Sequence, residues 1–171
     1  MLADDDFLDP AHQPSNWYYN RLHRILSAGI LEMRLLNVKT LQLETFYDEN
    51  IPRYAALSHT WGDEEVTFED LTNDKKRKKK GWRKIFASCF KAEQHLLEYI
   101  WIDTCCIDKS SSAELSEAIN SMYAWYRDCN ECLAYLEDVH YKPEEEFSSH
   151  EEFQSSLESA LHSSRWFTRG W

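Results

Sequence analysis

Glycine and proline are scarce in this chain, with four of each among its 171 residues. This scarcity argues against a loop-dominated or disordered protein. Long hydrophobic runs are missing as well, since no apolar stretch approaches the roughly 20 residues that a membrane helix needs. The chain opens with acidic residues, Asp4–Asp6, where a secretion signal would be basic. We therefore expect a cytoplasmic globular domain with no membrane partner.

Basic charge is also in short supply, because 19 basic residues face 30 acidic ones and leave a net charge of −11. An acidic surface repels phosphate backbones, so we expect no nucleic-acid partner. The five cysteines are an odd number and fit free thiols in a reducing compartment. Hydrophobic residues make up 43% of the chain, which is enough for the core of one domain of ordinary size.

Three short apolar runs predict buried strands, at Tyr54–Ser58, Tyr99–Asp103 and Cys132–Leu136. Helical patterns separate them. The first pattern has a predicted apolar face formed by Trp82, Ile85, Phe86, Cys89, Phe90, Leu96 and Leu97. The second begins after Ser110–Ser112, and its predicted apolar face consists of Leu115, Ile119, Met122, Tyr123 and Tyr126. Alternating strands and helices predict an α/β fold, with a parallel sheet flanked by helices and joined by right-handed crossovers.

The segments outside this core are less clear. Met33–Leu43 fits a strand or a hairpin arm, and Phe153–Leu161 fits a short helix. Residues 1–32 form an extension, which is either a short amphipathic helix that docks on the domain or an irregular lead. The basic run Lys75–Lys80 is interpreted as a solvated lead-in to the next helix, with a nuclear-import or phosphate-binding patch as the alternative.

Candidate functional residues follow the first two predicted strands. His59 and Trp61 lie after the first strand and Asp103 lies at the end of the second, so all three belong to the edge where open α/β sheets bind ligands. Asp103 could hold a ribose hydroxyl, orient a catalytic group, or cap the loop that follows it. The two common glycine-rich phosphate loops are absent from the sequence.

The cysteines allow two further interpretations. His59 with Cys105 or Cys106 could form a thiol hydrolase, but buried cysteines are common core residues. Cys129 and Cys132, in C-x-x-C spacing, could bind zinc together with the Cys105–Cys106 pair. A single C-x-x-C is weak support for zinc, so we predict no metal site.

Three blocks of sequence carry a family resemblance: Tyr54–Asp63, Trp101–Lys109 and Ser164–Trp171. Their order and spacing resemble the three signature regions of the fungal heterokaryon incompatibility (HET) domain. Met33–Asn37 also resembles the start of one subgroup, as in fungal STAND-type incompatibility proteins. The resemblance implies a partial HET domain over residues 33–171 that follows the extension at 1–32.

The resemblance implies a fold like that of Toll/interleukin-1 receptor (TIR) domains and a role in non-self recognition, programmed cell death and fungal innate immunity. The implied partners are further HET or TIR-like domains in a homotypic assembly, or STAND-type signalling proteins. Some TIR domains cleave NAD, which makes NAD the candidate cofactor. The candidate cofactor-binding residues are Ser58, His59, Trp61, Asp103 and Arg169. Trp61 would stack on a base, Asp103 would hold a hydroxyl, and Arg169 would contact a phosphate.

The sequence departs from the family pattern at its end. In HET domains the third block continues past its tryptophan with a Thr-Leu-Gln-Glu run, whose glutamate is the natural catalytic candidate. This sequence stops at Trp171. We therefore assign no catalytic residue, and expect an incomplete sheet and a chain that does not itself hydrolyse NAD. The alternatives are a non-catalytic interaction module and an inactive gene fragment.

Overall fold

The computed structural model describes residues 32–73, 78–140, 143 and 146–168. The strands of this part are β1 (Glu32–Asn37), β2 (Leu43–Tyr47), β3 (Tyr54–His59), β4 (Tyr99–Trp101) and β5 (Glu131–Tyr135). The α-helices are α1 (Phe68–Thr72), α2 (Trp82–Gln94), α3 (Ser112–Asp128) and α4 (His150–Ser163), and two 3-10 helices lie at Asp48–Asn50 and Arg165–Thr168. Most of the predicted extension and part of the basic run lie outside the described residues.

The chain divides into two compact units. The first comprises Met1–Met33 and Thr45–Ile51, and the second comprises Arg34–Glu44 and Pro52–Trp171. All candidate site residues belong to the second unit. No helix in the described part of the chain is long and apolar enough to cross a membrane.

The predicted parallel sheet is present at the centre of the fold. β3 pairs in parallel with β4 on one side and with β5 on the other. The connections between these strands run through α2 and α3, so the α/β prediction is confirmed. All six residues of β3 are buried because the strand has a neighbour on each side. The predicted strand at Tyr99–Asp103 is shorter than expected, because β4 ends at Trp101 and leaves Asp103 in the following turn.

The sheet as a whole is mixed rather than purely parallel. Its strand order is β2-β1-β4-β3-β5, and β1 pairs antiparallel with β4. The predicted strand or hairpin arm near residues 33–43 is thus two strands joined by a short turn, in which the Asn37 amide donates to the Gln42 carbonyl. A short turn suffices here because a neighbouring antiparallel strand needs no crossover helix.

Two contacts fasten α3 and β5 to the parallel strands. The Trp101 ring at the end of β4 lies 5.3 Å from the rings of Trp125 and Tyr126 on α3. Asn130, between α3 and β5, pairs with the Tyr54 backbone at the start of β3: its amide N–H donates to the Tyr54 carbonyl at 2.9 Å and its Oδ1 accepts from the Tyr54 amide at 3.1 Å. This pairing places β5 in register with β3.

The predicted apolar face of α2 is wrong in part. Phe86 and Phe90 are each 57% exposed. The residues that the helix buries are Lys84, Ile85, Ser88, Cys89 and Ala92. The apolar residues in this sequence span an arc wider than the stripe the sheet covers, so periodicity alone could not tell which side faces inward. The same error affects α3, where Ile119 and Tyr123 are exposed while Ala118 and Trp125 are buried.

The end of α2 also differs from the prediction, because the helix stops at Gln94 rather than continuing to Leu97. The Leu97 amide donates to the Ala92 carbonyl at 3.0 Å and the Leu96 amide to the Glu93 carbonyl at 2.9 Å. This is the Schellman pattern, whose terminal position favours glycine. Leu96 occupies that position with φ of 59° and is 89% exposed.

Leu96→Gly should stabilise the domain by about 1 kcal/mol, because it relieves a left-handed backbone conformation without removing buried surface. The free energy of unfolding from urea titration measures the effect. Leu96→Ala is the matched control, because it removes the exposed leucine side chain beyond the β-carbon but keeps the β-carbon itself. It should leave stability nearly unchanged. Equal stabilisation by both variants would show that the gain comes from removing an exposed leucine.

Candidate functional site

The loops after β3 and β4 meet because the two strands are parallel neighbours. Tyr54 pairs with Tyr99 and Ala56 with Trp101, so both strands end at the same edge of the sheet. β3 ends at His59 and its loop begins at Thr60, whereas the β4 turn begins at Ile102. The predicted convergence of these two loops is therefore present in the structure.

The carboxylate of Asp103 joins the two loops. Its Oδ1 lies 2.8 Å from Nε2 of His59, and its Oδ2 accepts a hydrogen bond from Nε1 of Trp61 at 3.0 Å. We call these three residues the Asp103 network. His59 and Asp103 are buried, whereas Trp61 is 52% exposed. The network thus has a buried interior and one side chain that reaches solvent.

The protein holds Asp103 in its charged form. Burial of the carboxyl by itself raises its pKa, since a charge is costly to bury. Hydrogen bonding and charge from His59, the Trp61 hydrogen bond and the charge of Lys109 act in the opposite direction. Together they outweigh burial and keep the pKa of Asp103 below its ordinary value.

Ser58 contacts the third sequence block rather than the Asp103 network. Its Oγ accepts a hydrogen bond from Nε1 of Trp166 at 3.1 Å. Asp138, which follows β5, holds the start of the same block by accepting from the Ser164 hydroxyl and the Arg165 amide, each at 2.8 Å. All three sequence blocks therefore meet at the carboxyl edge of the parallel strands.

Lys109 is a site residue that the sequence did not single out. Its Nζ lies 3.8 Å from the centre of the Trp61 ring, within the range of a cation–π interaction. It is the last residue of the second sequence block, and its distance from Trp61 along the chain hid the contact. The exposed indole therefore carries a positive charge beside it.

A buried ion pair also supports the β3 loop, and the sequence did not predict it. Nζ of Lys84 pairs with Oε1 of Glu65 and donates to the Thr60 carbonyl at 3.2 Å. The same Glu65 oxygen accepts from the Gly62 amide at 2.6 Å. The side chain of Lys84 is only 5% exposed, although lysine is seldom buried.

Gly81 allows this pair to form. A β-carbon at Gly81 would lie 2.8 Å from the Glu64 carbonyl oxygen, closer than real contacts permit. The glycine thus lets the start of α2 approach the Glu64–Glu65 backbone, where its amide donates to the Glu64 carbonyl at 3.0 Å. A larger residue here would displace α2 and Lys84 with it.

The structure brings together four of the five predicted cofactor-binding residues. Ser58, His59, Trp61 and Asp103 lie at one edge, and Arg169 lies outside the described residues. Three of the four are buried and already bonded to protein groups. Trp61 is the member of this set that offers an exposed surface. Their function in cofactor binding remains a prediction.

The thiol-hydrolase interpretation does not fit the structure. Cys105 and Cys106 are both buried. The Cys106 contact and burial raise the pKa of Cys105 well above its usual value, so it is not an activated nucleophile. The zinc interpretation also lacks a cluster, since nowhere in the described residues do three His, Cys, Asp or Glu side chains group so that they could hold a metal ion.

Comparison with known proteins gives a family match. Residues 54–146 match the family described as heterokaryon incompatibility protein (HET). The curated "Vegetative incompatibility protein HET-E-1" of Podospora anserina is 45% identical over 123 residues, a region that covers 71% of this chain and 9% of that protein. No solved structure matches the chain. The family match includes the whole Asp103 network and does not test the proposed domain boundaries at residues 32 and 171.

Asp103→Asn should destabilise the domain by about 3 kcal/mol at pH 7, because it removes one partner of a buried charged contact. Urea denaturation measures the change in the free energy of unfolding. Asp63→Asn alters an exposed residue of the neighbouring loop and should stay within about 0.5 kcal/mol of the unmodified protein. An equally small effect at Asp103 would contradict the structural importance of the network.

The stability difference between the unmodified protein and Asp103→Asn should depend on pH. The folded pKa of Asp103 lies below its unfolded value of about 3.9, so its stabilising contribution is complete above roughly pH 4. The contribution is lost as the pH falls through the folded pKa, and the two proteins should then converge. A difference that stays constant from neutral to strongly acidic pH would contradict this assignment.

Proposed function

The chain belongs to the heterokaryon incompatibility (HET) family, and from this premise we propose that it acts in fungal vegetative incompatibility, as a domain that triggers programmed cell death. The convergence of the first two sequence blocks on the Asp103 carboxylate carries the proposal, because it joins two separate parts of the family-matched region into one local structure. The name of the Podospora anserina relative supports the same role. Since the chain spans 9% of that relative, the proposal is best tested in a full-length protein.

We further propose that the exposed part of the network binds a nucleotide of the NAD type. The half-exposed Trp61 ring offers a stacking surface for a base, and Lys109 places a positive charge beside it for a phosphate. Asp103 has both carboxylate oxygens engaged by protein donors. Its contribution in this geometry is to orient Trp61, which revises its proposed contact with a ribose hydroxyl.

A TIR-like reaction is the proposed chemistry in complete homologues. The flanked sheet with its three neighbouring parallel strands is compatible with a TIR-like fold. NAD cleavage would require a catalytic glutamate, which the family resemblance places after the third block. Signalling would then proceed through homotypic HET or TIR-like assembly, or through STAND-type partner proteins.

Trp61→Ala in a full-length protein should reduce cell death at least about fivefold, because loss of one stacked base costs about 1–3 kcal/mol of binding. Viability of cells expressing the protein gives the measurement. Trp61→Phe is the matched variant: it removes the hydrogen bond to Asp103 but keeps a ring for stacking, and it should retain most of the killing.

Immunoblotting must show that both Trp61 variants accumulate to normal levels. The NAD content of the same cells distinguishes the two classes of function. A fall in NAD before death supports cleavage, whereas normal killing by Trp61→Ala would remove Trp61 from the site.

A second candidate function is a non-catalytic module that assembles with copies of itself. Exposed apolar side chains favour it, because Phe86 and Phe90 lie one helical turn apart on α2 and form a continuous apolar ridge. Ile119 and Tyr123 have the same spacing on α3. Surfaces of this kind often mark interaction sites.

The double variant Phe86→Ala/Phe90→Ala should abolish self-association and killing if assembly alone is sufficient. Both side chains are exposed and alanine favours helices, so the domain should remain folded. Light scattering of the purified protein and the viability assay report the two effects. Leu96→Ala, which also shortens an exposed apolar side chain but lies away from the ridge, serves as the control. Unchanged association in the double variant would exclude this ridge as the contact.

A further inference from the structure

Two cysteines lie close together at the junction of α3 and β5, away from the Asp103 network. Cys129 caps the end of α3 and is half-buried, whereas Cys132 is exposed on β5. Both are free thiols. β5 is the last strand in the sheet order, so the Cys132 thiol is accessible to small molecules from solvent.

The two thiols interact and differ in acidity. The Cys129 thiol donates to the Tyr126 carbonyl at 3.0 Å, and its interaction with Cys132 raises its own pKa. The same interaction lowers the pKa of Cys132 to about 7, because a Cys132 thiolate can accept the Cys129 S–H proton in place of the Tyr126 carbonyl. A position at the carbonyl end of a helix also disfavours a thiolate at Cys129. Cys132 is therefore the more nucleophilic thiol at neutral pH, and Cys129 is the protonated neighbour.

Neighbouring charges are already paired with other groups. Asp128 contacts Arg127 through Nε at 2.7 Å, and Glu131 lies 3.6 Å from Nδ1 of His95. The interaction between the two thiols is therefore the main cause of the difference between their pKa values.

We propose that Cys129 and Cys132 form a reversible dithiol site, which closes into a disulfide by exchange with a small disulfide of the glutathione type. The Cys132 thiolate attacks one sulfur of the small disulfide, its S–S bond breaks, and one small thiol leaves. Cys129 then loses its proton to solvent and attacks the Cys132 sulfur of the mixed disulfide. A second small thiol leaves, so two protein thiols are oxidised while one small disulfide is reduced to two thiols.

The other three cysteines provide an internal contrast. Cys89, Cys105 and Cys106 are buried. Burial, with the nearby Cys106, raises the pKa of Cys89 to about 12. Neutral buried thiols react slowly, so exchange should be confined to the C-x-x-C pair while the domain is folded.

Closure of this disulfide would affect the contact between the parallel strands β3 and β5. The four-residue ring would contain Asn130, whose backbone and side chain both pair with Tyr54 at the start of β3. The ring would also include Cys129, the residue that caps the end of α3. The redox state of the pair is thereby linked to the geometry of the α3–β5 connection.

The test equilibrates the full chain with buffers of defined reduced and oxidised glutathione, followed by acid quenching, alkylation and peptide mass spectrometry. The proposal expects a loss of two alkylatable thiols, both in the peptide that carries Cys129 and Cys132. Cys89, Cys105 and Cys106 should remain reduced in the same sample, because the folded protein shields buried thiols from exchange with glutathione. Retention of both free thiols across all buffer ratios would overturn the proposal, as would equal oxidation of the buried cysteines in folded protein.

Two single variants separate the steps. Cys129→Ser lacks the second thiol, so Cys132 should accumulate as a mixed disulfide with glutathione. Cys132→Ser should form neither the mixed nor the internal disulfide. Accumulation of a disulfide-linked dimer in the unmodified protein, rather than the internal bond, would refute the assigned pairing.

The pH dependence of alkylation gives an independent readout. In the unmodified protein the rate at Cys132 should reach half its maximum near pH 7. In Cys129→Ala, which leaves no donor at this position, the midpoint should rise towards the value of an ordinary cysteine, about 8.5, and alkylation at pH 7 should slow about tenfold. An unchanged midpoint would show that the two thiols do not interact.

Discussion

A buried carboxylate must be compensated by hydrogen-bond donors, and this requirement organises the carboxyl edge of the sheet. β4 is only three residues long, and Asp103 lies in the turn after it, almost entirely inside the protein. His59 at the end of β3 and Trp61 in the following loop supply the partners of this carboxylate. The two loops therefore depend on each other, because neither can move without leaving a charge or a donor unsatisfied.

The same loop is fixed from its other side by Lys84 and Glu65. These side chains reach the Thr60 carbonyl and the Gly62 amide, so backbone groups of the loop are held as well as its side chains. Two buried charged contacts on one short loop are costly to assemble, and removal of either partner leaves an uncompensated charge. Such an arrangement favours a single loop conformation, which a binding surface built on Trp61 would require.

The central strands were predictable because each is a short apolar run that ends in polar residues. The helix faces were less predictable, since Phe86 and Phe90 have the same periodicity as the buried Ile85 and Cys89. Lys84 was missed because composition places lysine in solvent unless a buried partner is known, and Glu65 lies in a separate segment. The antiparallel pairing of β1 with β4 was not accessible either, because periodicity does not reveal strand order.

The meeting of Ser58, His59, Trp61 and Asp103 could be inferred from the rule that parallel strands end at a common edge. The contacts of Trp166 and Lys109 could not, since Trp166 lies in a short 3-10 helix and Lys109 in a turn, and the position of both segments depends on tertiary packing. The signal was nonetheless present in the sequence, because each belongs to a block that carries the family resemblance.

The distribution of satisfied and exposed groups limits what this edge can recognise. Ser58, His59 and Asp103 are buried and bonded within the protein, so a ligand that leaves the fold intact meets the Trp61 ring and the Lys109 ammonium instead. An aromatic face beside a cation favours a flat group joined to an anion, which is the chemistry of a nucleotide. The second candidate function would instead use the exposed apolar side chains of Phe86 and Phe90 on α2. The two candidate functions thus use different surfaces of one domain, and substitutions at Trp61 on one surface and at Phe86 and Phe90 on the other separate them.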